Sequence, residues 1–553
     1  MASELPTATN SPSFEGNKAS NTISRRSSYR HKIFAPAPHR PIISETILHE
    51  WTLQKQREFL DGIYHNIVNH EKECNAMVDE QIAPTLNNSP TQLQHGQLQT
   101  LYGLQRGLLF EYNRFIKISQ SADALPAIRE LVLERSVIER MWKNGIERFL
   151  ALLSLISPAS SVHMLNFTNE VYWILFSLYE EVPDFKNTWA AHLGYIAYFR
   201  AIMIPSNPVN TVKETEDRNF WKQIAYNWYL HVCNESPGAG KVYLYLGQLD
   251  GSDRLQQMFF FTKSVSTVQP IHPIWSPFPN AFHNFIKASI EEVAEGSGLY
   301  SRHKLDTAFI KVHAHILTYA TDNLEEYNTR VSEHISQFLR LLDNHLAQTS
   351  TKFIIDGYLV AISNINAEFS FYSVEKPLKK AMYGNLWEID GCSACMIPFR
   401  HAENLSNSTL KTVLSRFDDP NILSFVHVTL LFLHNVAHAP SKEAMNLLVP
   451  AFPWEDLAFM INKLSGSYQH DMIDRSNNAQ FLWSTTSPLI EDYALKGLFW
   501  FGNFHPNDFW SRKETEGSKY YGEEGVTLQR TERILWLAHD IAKVVPWLSF
   551  DKS

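Results

Sequence analysis

Two short clusters of cysteine and histidine carry residue types that bind metals. Cys392 and Cys395 form a single CxxC pair, with His401 a few residues further on. A tetrahedral zinc site needs four ligands, of which this segment supplies two or three. A redox-active CxxC needs a strand and a helix around it, and the sequence indicates neither here. Two loop thiols are the favoured interpretation, with a metal site as the alternative.

His434 and His438 lie four positions apart on a predicted helix, so both imidazoles could face one metal ion. The HExxH motif of zinc hydrolases requires a glutamate between the two histidines. This chain has Asn435, Val436 and Ala437 there instead. Structural histidines are therefore the favoured interpretation of this pair as well.

Motifs for phosphate cradles and catalytic nucleophiles are missing from the sequence. It contains no GxxxxGK[ST], GxGxxG or GxSxG pattern, and such patterns mark nucleotide-binding loops and nucleophile elbows. Its acidic residues do not cluster as a two-metal site would require. The sequence thus predicts a protein that is not an enzyme, without catalytic residues, a cofactor or a metal.

Composition favours a large folded protein that works in a reducing compartment. The chain has 553 residues, 44% hydrophobic and 13% aromatic, with only 22 glycines and 4 cysteines. This length predicts two or three packed units, and the high apolar content excludes general disorder. The formal charge of −9 disfavours binding to nucleic acid through phosphate neutralisation alone. With no apolar N-terminal run and no uninterrupted apolar 18-mer, we expect no membrane span and a nuclear or cytoplasmic location.

Hydrophobic periodicity predicts an all-α fold behind a polar tail. Residues 1–42 are rich in Ser, Thr, Asn and Pro and predict a disordered tail with six basic and two acidic side chains. From about residue 45, apolar residues recur at three- and four-residue spacing, which places them on one helix face. One such stripe contains Leu53, Leu60, Ile63, Ile67, Cys74 and Val78.

Small and aromatic residues between 209 and 275 indicate helix pairs of the tetratricopeptide type. Ala225 and Tyr229 are expected to pack against Tyr243 and Gly247, because a small residue lets two helices approach while aromatics fill the groove. The aromatic run 259–261 is expected to be core. We assign 43–208 to a first helical domain, 276–372 to a helical hairpin region, 373–420 to an irregular loop and 421–553 to a C-terminal helical region.

Several segments in this order resemble the Est/Smg family in its fungal branch. They are RMWKNGIERFL, TWAAHLGYIAYFR, WYLHVCNESPGAGKVYLYLGQL and LQQMFFFTKSV, with looser similarity in FPWEDLAFMINKL and TERILWLAHDIA. The resemblance covers about residues 45–345. It implies a 14-3-3-like domain, tetratricopeptide-like repeats and a helical C-terminal region. It also implies an Est-type DNA/RNA-binding domain or an adaptor of nonsense-mediated decay.

The phosphate-binding residues of that family are replaced in this chain. Its phosphopeptide-binding members use a Lys on the helix similar to RMWKNGIERFL and an Arg in a segment similar to LGDxARYR. Glu147 and Tyr198 stand at these positions. A carboxylate repels phosphate, so the resemblance implies weak or lost phosphopeptide binding. Lys143, Arg148 and Arg200 are the basic residues left for an anion or partner groove.

Three hypotheses about function follow from the sequence. The favoured one is a scaffold or adaptor that binds protein partners through helical grooves, in RNA-decay or telomere-related complexes. The second is direct binding of RNA or DNA through the basic tail. The third is a metal-dependent enzyme that uses the cysteine–histidine segment or the paired histidines.

Overall fold

The fold is all-α throughout the described part of the chain. A computed structural model describes residues 51–86, 95–203, 212–249, 253–271, 278–294, 301–317, 323–348, 352–369, 377–383, 393–466, 487–501, 505, 508–511 and 523–549. Within these ranges the regular elements are helices, and extended pairing is confined to the isolated bridges Ala239–Gln269 and Thr267–Leu498. The tail 1–42 and Cys392 lie outside the described residues. Packing divides the chain into two units, residues 1–163 and 164–553. The boundary between them lies at residue 163, whereas the sequence predicts that the first helical domain ends at residue 208.

The first unit is built on two long helices, α1 (Leu53–Leu86) and α2 (His95–Ser119), which pack against each other. The apolar stripe of α1 is buried from Leu60 to Val78, as its spacing indicates, whereas Leu53 at the helix start is 44% exposed. Tyr112 and Phe115 of α2 are fully buried opposite it. Burial of these one-sided stripes is the main stabilising contribution to the pair.

The next stretch of the first unit is helical but broken into short pieces. They are α3 (Pro126–Arg129), α4 (Leu131–Glu134), α5 (Val137–Arg140), a π-helix (Met141–Glu147) and α6 (Arg148–Leu155). Ser136 has φ 47°, in the left-handed region, and a residue with that backbone ends a helix. The apolar stripe of this segment predicts one long helix. Periodicity misses the breaks, because it does not reveal where a single residue turns the chain.

The second unit is an array of helices with one central, almost fully buried member. Its helices are α7 (Ser161–Glu181, in which the unit begins), α8 (Lys186–Met203), α9 (Val212–Glu235), α10 (Gly240–Leu249), α11 (Arg254–Ser264), α12 (Phe278–Ala294), α13 (Ser301–Leu317), α14 (Leu324–Gln348), α15 (Phe353–Glu368), α16 (Pro377–Tyr383), α17 (Ser393–Leu414), α18 (Leu423–Ala437), α19 (Glu443–Leu448), α20 (Trp454–Gly466), α21 (Ile490–Leu495) and α22 (Glu523–Ala542). Consecutive helices pair along the chain from α8 to α11. The central helix, α15, packs against α11, α17 and α18.

Small-to-aromatic packing is present in α8 to α11, where Gly247 meets Phe261 and Tyr229 stacks on Tyr245. The expected packing of Ala225 and Tyr229 against Tyr243 and Gly247 stays a prediction. Ala225 and Tyr229 of α9 are fully buried, and an added Cβ on Gly247 of α10 would lie 3.1 Å from the ring of Phe261. The aromatic run 259–261 of α11 is buried, so its interpretation as core is confirmed. These rings fill the grooves that the small residues open.

The α18 region has the length and composition of a membrane span but the environment of a core helix. The 18 residues Pro420–Ala437 meet that criterion, yet 78% of the window is buried inside the protein. The helix packs against α15 on one side and α22 on another. His427 inside it contacts the buried carboxylate of Glu491 at 3.1 Å. Packing against protein accounts for the apolar surface of this helix.

The expectation of an irregular loop at 373–420 is wrong for the described residues 377–383 and 393–414, which are helical. Residues 393–414 form α17, a 22-residue helix, and α16 precedes it. Phe399, Ala402, Leu405 and Leu410 of α17 are all buried. Their spacing of three to five places them on one face, but Ser and Asn between them give the segment the composition of a loop.

Buried ion pairs attach the C-terminal segment to the core of the second unit. Arg530 donates two hydrogen bonds to Glu491, at 2.7 and 3.0 Å, and Arg533 donates one to Asp492 at 2.6 Å. Burial alone would raise the pKa of Glu491, but hydrogen bonds from His427 and Arg530 outweigh it and lower that pKa. Breaking such a pair leaves an uncompensated buried charge, so the network fixes α21 against α22.

A second attachment joins the segment around α21 to the helix pair α10–α11. Lys263 is fully buried and donates a hydrogen bond to the carbonyl oxygen of Ala494 at 2.7 Å. Burial lowers the pKa of Lys263 to about 7. Gly497 has φ +85°, and a Cβ there would overlap the backbone of Pro237. Only glycine fits that backbone conformation and that approach.

Candidate functional site

Two of the basic residues singled out in the sequence lie in the first unit, where acidic groups accompany them. Lys143 is exposed on the π-helix, and Glu147 is exposed on the same element. Arg148 forms an ion pair with Asp79 of α1. The charge of Arg148 is thus balanced within the unit, and the nearby Glu147 opposes an incoming anion.

A polar cluster of this unit centres on the buried carboxylate of Glu71, next to the π-helix. Its carboxylate accepts hydrogen bonds from Tyr112, Arg140 and Asn144. The hydrogen bond to Glu71 raises the pKa of Arg140, and burial raises the pKa of Tyr112. Gln105 donates to the carbonyl oxygens of Asn144 and Gly145 at 2.8 and 2.7 Å. The cluster holds the π-helix in place, and Arg140 is already paired with a carboxylate.

The third basic residue, Arg200, lies in the second unit on α8. Its guanidinium stacks over the ring of Trp221 of α9 at 4.0 Å. Nε and Nη1 of Arg200 are buried and have no acceptor among the described residues. Burial lowers the pKa of Arg200 to about 10, although Asp217 counteracts part of this. Arg200 is partly exposed, and a guanidinium that stacks on an aromatic ring can donate hydrogen bonds to a partner's carboxylate or carbonyl oxygen.

Tyrosines occupy the groove of α8, α9 and α10 where the resemblance places an arginine. The ring centroids of Tyr198 and Tyr245 lie 6.0 Å apart, and Tyr229 stacks on Tyr245 with centroids 5.2 Å apart. Burial raises the pKa of Tyr198. A Cβ on Gly194 would lie 2.6 Å from the ring of Tyr229. Neutral rings at close packing make this groove apolar rather than anion-binding.

A continuous series of aromatic rings extends along α7 and α9 and reaches the surface. We call it the α7–α9 aromatic surface and define it as Tyr172, Trp173, Phe176, Tyr179, Phe220, Trp221 and Trp228. Neighbouring centroids are 4.9 to 6.4 Å apart. Trp173 is 45% exposed and Phe220 is 50% exposed. At one end, Arg200 stacks on Trp221; at the other, Lys186 lies over Tyr179 at 5.0 Å.

Charge and motif patterns in the sequence do not reveal this surface. A signal was available in VYWILFSLY, within α7. That stretch is apolar on every side of the helix, whereas a helix at the edge of a fold needs one apolar stripe. The excess apolar side indicates a second contact surface.

The structure adds a carboxylate to the pair formed by His434 and His438. Asp540 of α22 places Oδ2 2.9 Å from Nε2 of His434 and 3.3 Å from Nε2 of His438. The ring centroids of the two histidines are 4.1 Å apart. Burial, with the charge of His438, lowers the pKa of His434 to about 4. The sequence could not show this contact, because Asp540 is far away along the chain.

The other metal-ligand candidates are not assembled into a cluster in the described residues. His401 contacts the side-chain oxygen of Asn328 at 2.7 Å, and the side chains of Cys392 and Cys395 lie outside the described part. His313 is fully buried and contacts Asn364 at 3.1 Å. Burial lowers the pKa of His313 to about 3, so this imidazole is neutral and structural.

A small internal cavity of about 30 Å³ contains the carboxyl group of Glu368, between α15, α17 and α18. Burial raises the pKa of Glu368 to about 8; Glu403 adds to the rise and a hydrogen bond with Ser406 opposes it. The volume accommodates one or two water molecules. It is too small for an organic substrate, which needs roughly 300 Å³ or more.

Comparison with solved structures finds a distant structural likeness. No family model matches the sequence, and no curated protein matches it. A chain in the structure of the SMG5–SMG7 complex from C. elegans shares 10% sequence identity with this chain. The superposition covers 88% of this chain and 94% of the other, at a TM-score of 0.42. A likeness of this size carries no argument about function.

Proposed function

We propose that this chain is a non-enzymatic helical scaffold that binds protein partners, and that the α7–α9 aromatic surface is its principal contact. The observation that carries the proposal is the exposure of Trp173 and Phe220 within a continuous series of aromatic rings. Tryptophan, tyrosine and arginine contribute most of the binding energy at protein interfaces. Rigid rings that are already packed against one another lose little conformational entropy on binding.

The partner is proposed to be a peptide segment that carries apolar anchors and acidic groups. The guanidinium of Arg200 and the ammonium of Lys186 lie over rings near the two ends of the surface. Their charge complements carboxylates, and the exposed rings between them complement aliphatic or aromatic side chains. One charged contact on each side of the apolar patch would set the register of such a segment.

Phosphopeptide binding at the site that the Est/Smg resemblance implies is proposed to be weak or absent. Glu147 is exposed beside Lys143 and Arg148, and Arg148 is paired with Asp79. Titration with phosphorylated and unphosphorylated Ser-Gln peptides tests this. Phosphate-dependent binding in the micromolar range would contradict it, and equal, weak binding of both peptides is expected.

The cellular role is proposed from the sequence resemblance alone. It favours a place in RNA-decay or telomere-related complexes, in the nucleus, the cytoplasm or both. The basic tail is the reason for keeping nucleic acid as a competing ligand. A mobility shift that weakens with salt and disappears on deletion of residues 1–42 would favour RNA or DNA over a protein partner.

A peptide-display selection tests the partner-binding surface without assuming a partner. The full chain and the Trp173→Ala/Phe220→Ala variant are each used to select from a random-sequence library. We expect the full chain to enrich sequences with aromatic and acidic residues, and the variant to lose that enrichment. Phe459→Ala is the matched control, because Phe459 is 49% exposed but lies on α20. Equal enrichment by all three proteins would refute the assignment of the surface.

A further inference from the structure

Three side chains of metal-binding type converge where the last turn of α18 meets α22. The ligand atoms of His434, His438 and Asp540 all lie within 4.8 Å of one another. Across the described part of the chain, this is the one group of three or more such side chains at that spacing. Both histidines present Nε2 to the same carboxylate oxygen, Oδ2 of Asp540.

The hydrogen bond on the far side of His438 fixes which of its nitrogens can bind a metal. Nδ1 of His438 lies 3.0 Å from the backbone carbonyl oxygen of His434. A carbonyl oxygen only accepts, so Nδ1 carries the proton and donates. In the neutral ring, Nε2 then carries the lone pair, and this is the arrangement found in metal-binding histidines.

That arrangement leaves two electron pairs facing each other across a short gap. Nε2 of His438 and Oδ2 of Asp540 are 3.3 Å apart, and neither can donate to the other while the ring is neutral. A proton on Nε2, or a metal ion bound between the two atoms, removes this repulsion. A divalent metal ion does so for both histidines at once and displaces the proton from Nε2 of His434.

The spacing of the three groups suits a first-row divalent metal. Zinc binds imidazole nitrogen and carboxylate oxygen at about 2.0–2.2 Å, so tetrahedral ligand atoms lie roughly 3.3 Å apart. The two nitrogen-to-oxygen distances here are 2.9 and 3.3 Å. Each nitrogen-to-oxygen pair therefore needs only a small shift to bind a common ion.

The surroundings provide orientation and access. Lys543 donates a hydrogen bond to the other oxygen of Asp540, Oδ1, at 3.1 Å, and so turns Oδ2 toward the histidines. The side chain of His438 is 39% exposed and that of His434 only 11%. A metal ion can enter from the His438 side, where solvent can supply a fourth ligand.

We propose that His434, His438 and Asp540 form a site for a divalent transition metal of the zinc type. The bound ion would join the end of α18 to α22 and would be stabilising for the C-terminal part of the second unit. The inference is independent of the proposed scaffold function, and it revises the expectation that the histidine pair is only structural.

Zinc titration of the chelator-treated full chain tests the site. It is done in a Cys392→Ser/Cys395→Ser background, so that these thiols cannot bind the ion. We expect one Zn²⁺ per chain by calorimetry, a rise in the unfolding temperature, and a visible absorption band of four-coordinate Co²⁺ when cobalt replaces zinc. Zinc binding that leaves the unfolding temperature unchanged and gives no cobalt band would contradict the proposal.

Two variants and a matched control locate the ion. Asp540→Asn and His438→Gln each remove one ligand and are expected to weaken affinity at least about tenfold. His315→Gln is the control, because the ring centroids of His315 and His334 lie 4.5 Å apart and this pair belongs to no three-ligand group among the described residues. Equal affinity in Asp540→Asn and the parent would overturn the proposal. Circular dichroism confirms that each variant is folded.

Discussion

Replacing Glu368 by glutamine should change how the stability of the protein depends on pH. The carboxyl group is fully buried in its cavity, and Oε2 has no hydrogen-bond partner among the described residues. The folded protein therefore holds its proton up to a pKa of about 8, against 4.5 for an ordinary glutamate. Glu368→Gln keeps the size of the side chain and removes the titration.

The sign follows from which state binds the proton. Below about pH 4.5 Glu368 is neutral in both states, and its favourable contribution is fully present. As pH rises toward 8, the unfolded chain releases the proton while the folded chain retains it, so the stability of the unmodified protein falls. At about 1.36 kcal/mol per pH unit, the loss is on the order of 5 kcal/mol at most. Water in the cavity would reduce this value.

Urea unfolding at several pH values between about 5 and 8 measures the effect. The free energy of unfolding of Glu368→Gln, minus that of the parent, should grow steadily with pH. Taking the difference cancels the contribution of the buried histidines to the free energy of unfolding, since both proteins contain them. Their lowered pKa values destabilise the folded state at acid pH. Glu326→Gln serves as the control, because Glu326 is half exposed and pairs with Arg330 on the same helix. A difference that stays constant with pH would refute the argument.

Further predictions concern packing and pairing, and each compares two variants by thermal or urea unfolding. Glu71→Ala leaves Arg140 without its carboxylate and should lower the free energy of unfolding by roughly 2–3 kcal/mol. Asp79→Ala, which breaks an exposed pair, should change it by about 0–1 kcal/mol. Gly240→Ala places a Cβ against a backbone carbonyl oxygen and should be destabilising by about 1–3 kcal/mol. Gly62→Ala, with nothing within 4 Å of the added Cβ, should be stabilising by about 0.5–1 kcal/mol. Equal changes in the free energy of unfolding for Glu71→Ala and Asp79→Ala, or for Gly240→Ala and Gly62→Ala, would contradict the structure.

Helices with one clean apolar stripe could be predicted from the sequence. The spacing from Leu60 to Val78 predicts α1, and its members are buried. The same signal failed for α17, where Ser and Asn separate the apolar residues and give the composition of a loop. It also failed near Ser136, because one left-handed residue breaks a helix without changing the apolar period.

Contacts between distant segments limited what could be said about sites. The pair His434 and His438 could be recognised from its spacing, but nothing in the sequence connects it to Asp540. Arg200 could be named as basic, whereas its position over Trp221 depends on how α8 packs on α9. Local patterns reveal residue types and helix faces; only the packing of helices brings these groups together.

The most direct test of the scaffold proposal is a binding titration with a peptide selected by the full chain. Fluorescence anisotropy measures its Kd for the full chain, for Trp173→Ala/Phe220→Ala and for Phe459→Ala. We predict that the double variant weakens binding at least about thirtyfold, which is the loss of one interface hot spot of about 2 kcal/mol. Phe459→Ala should leave the Kd unchanged. Equal affinities for the double variant and the full chain would contradict the assignment of the α7–α9 aromatic surface.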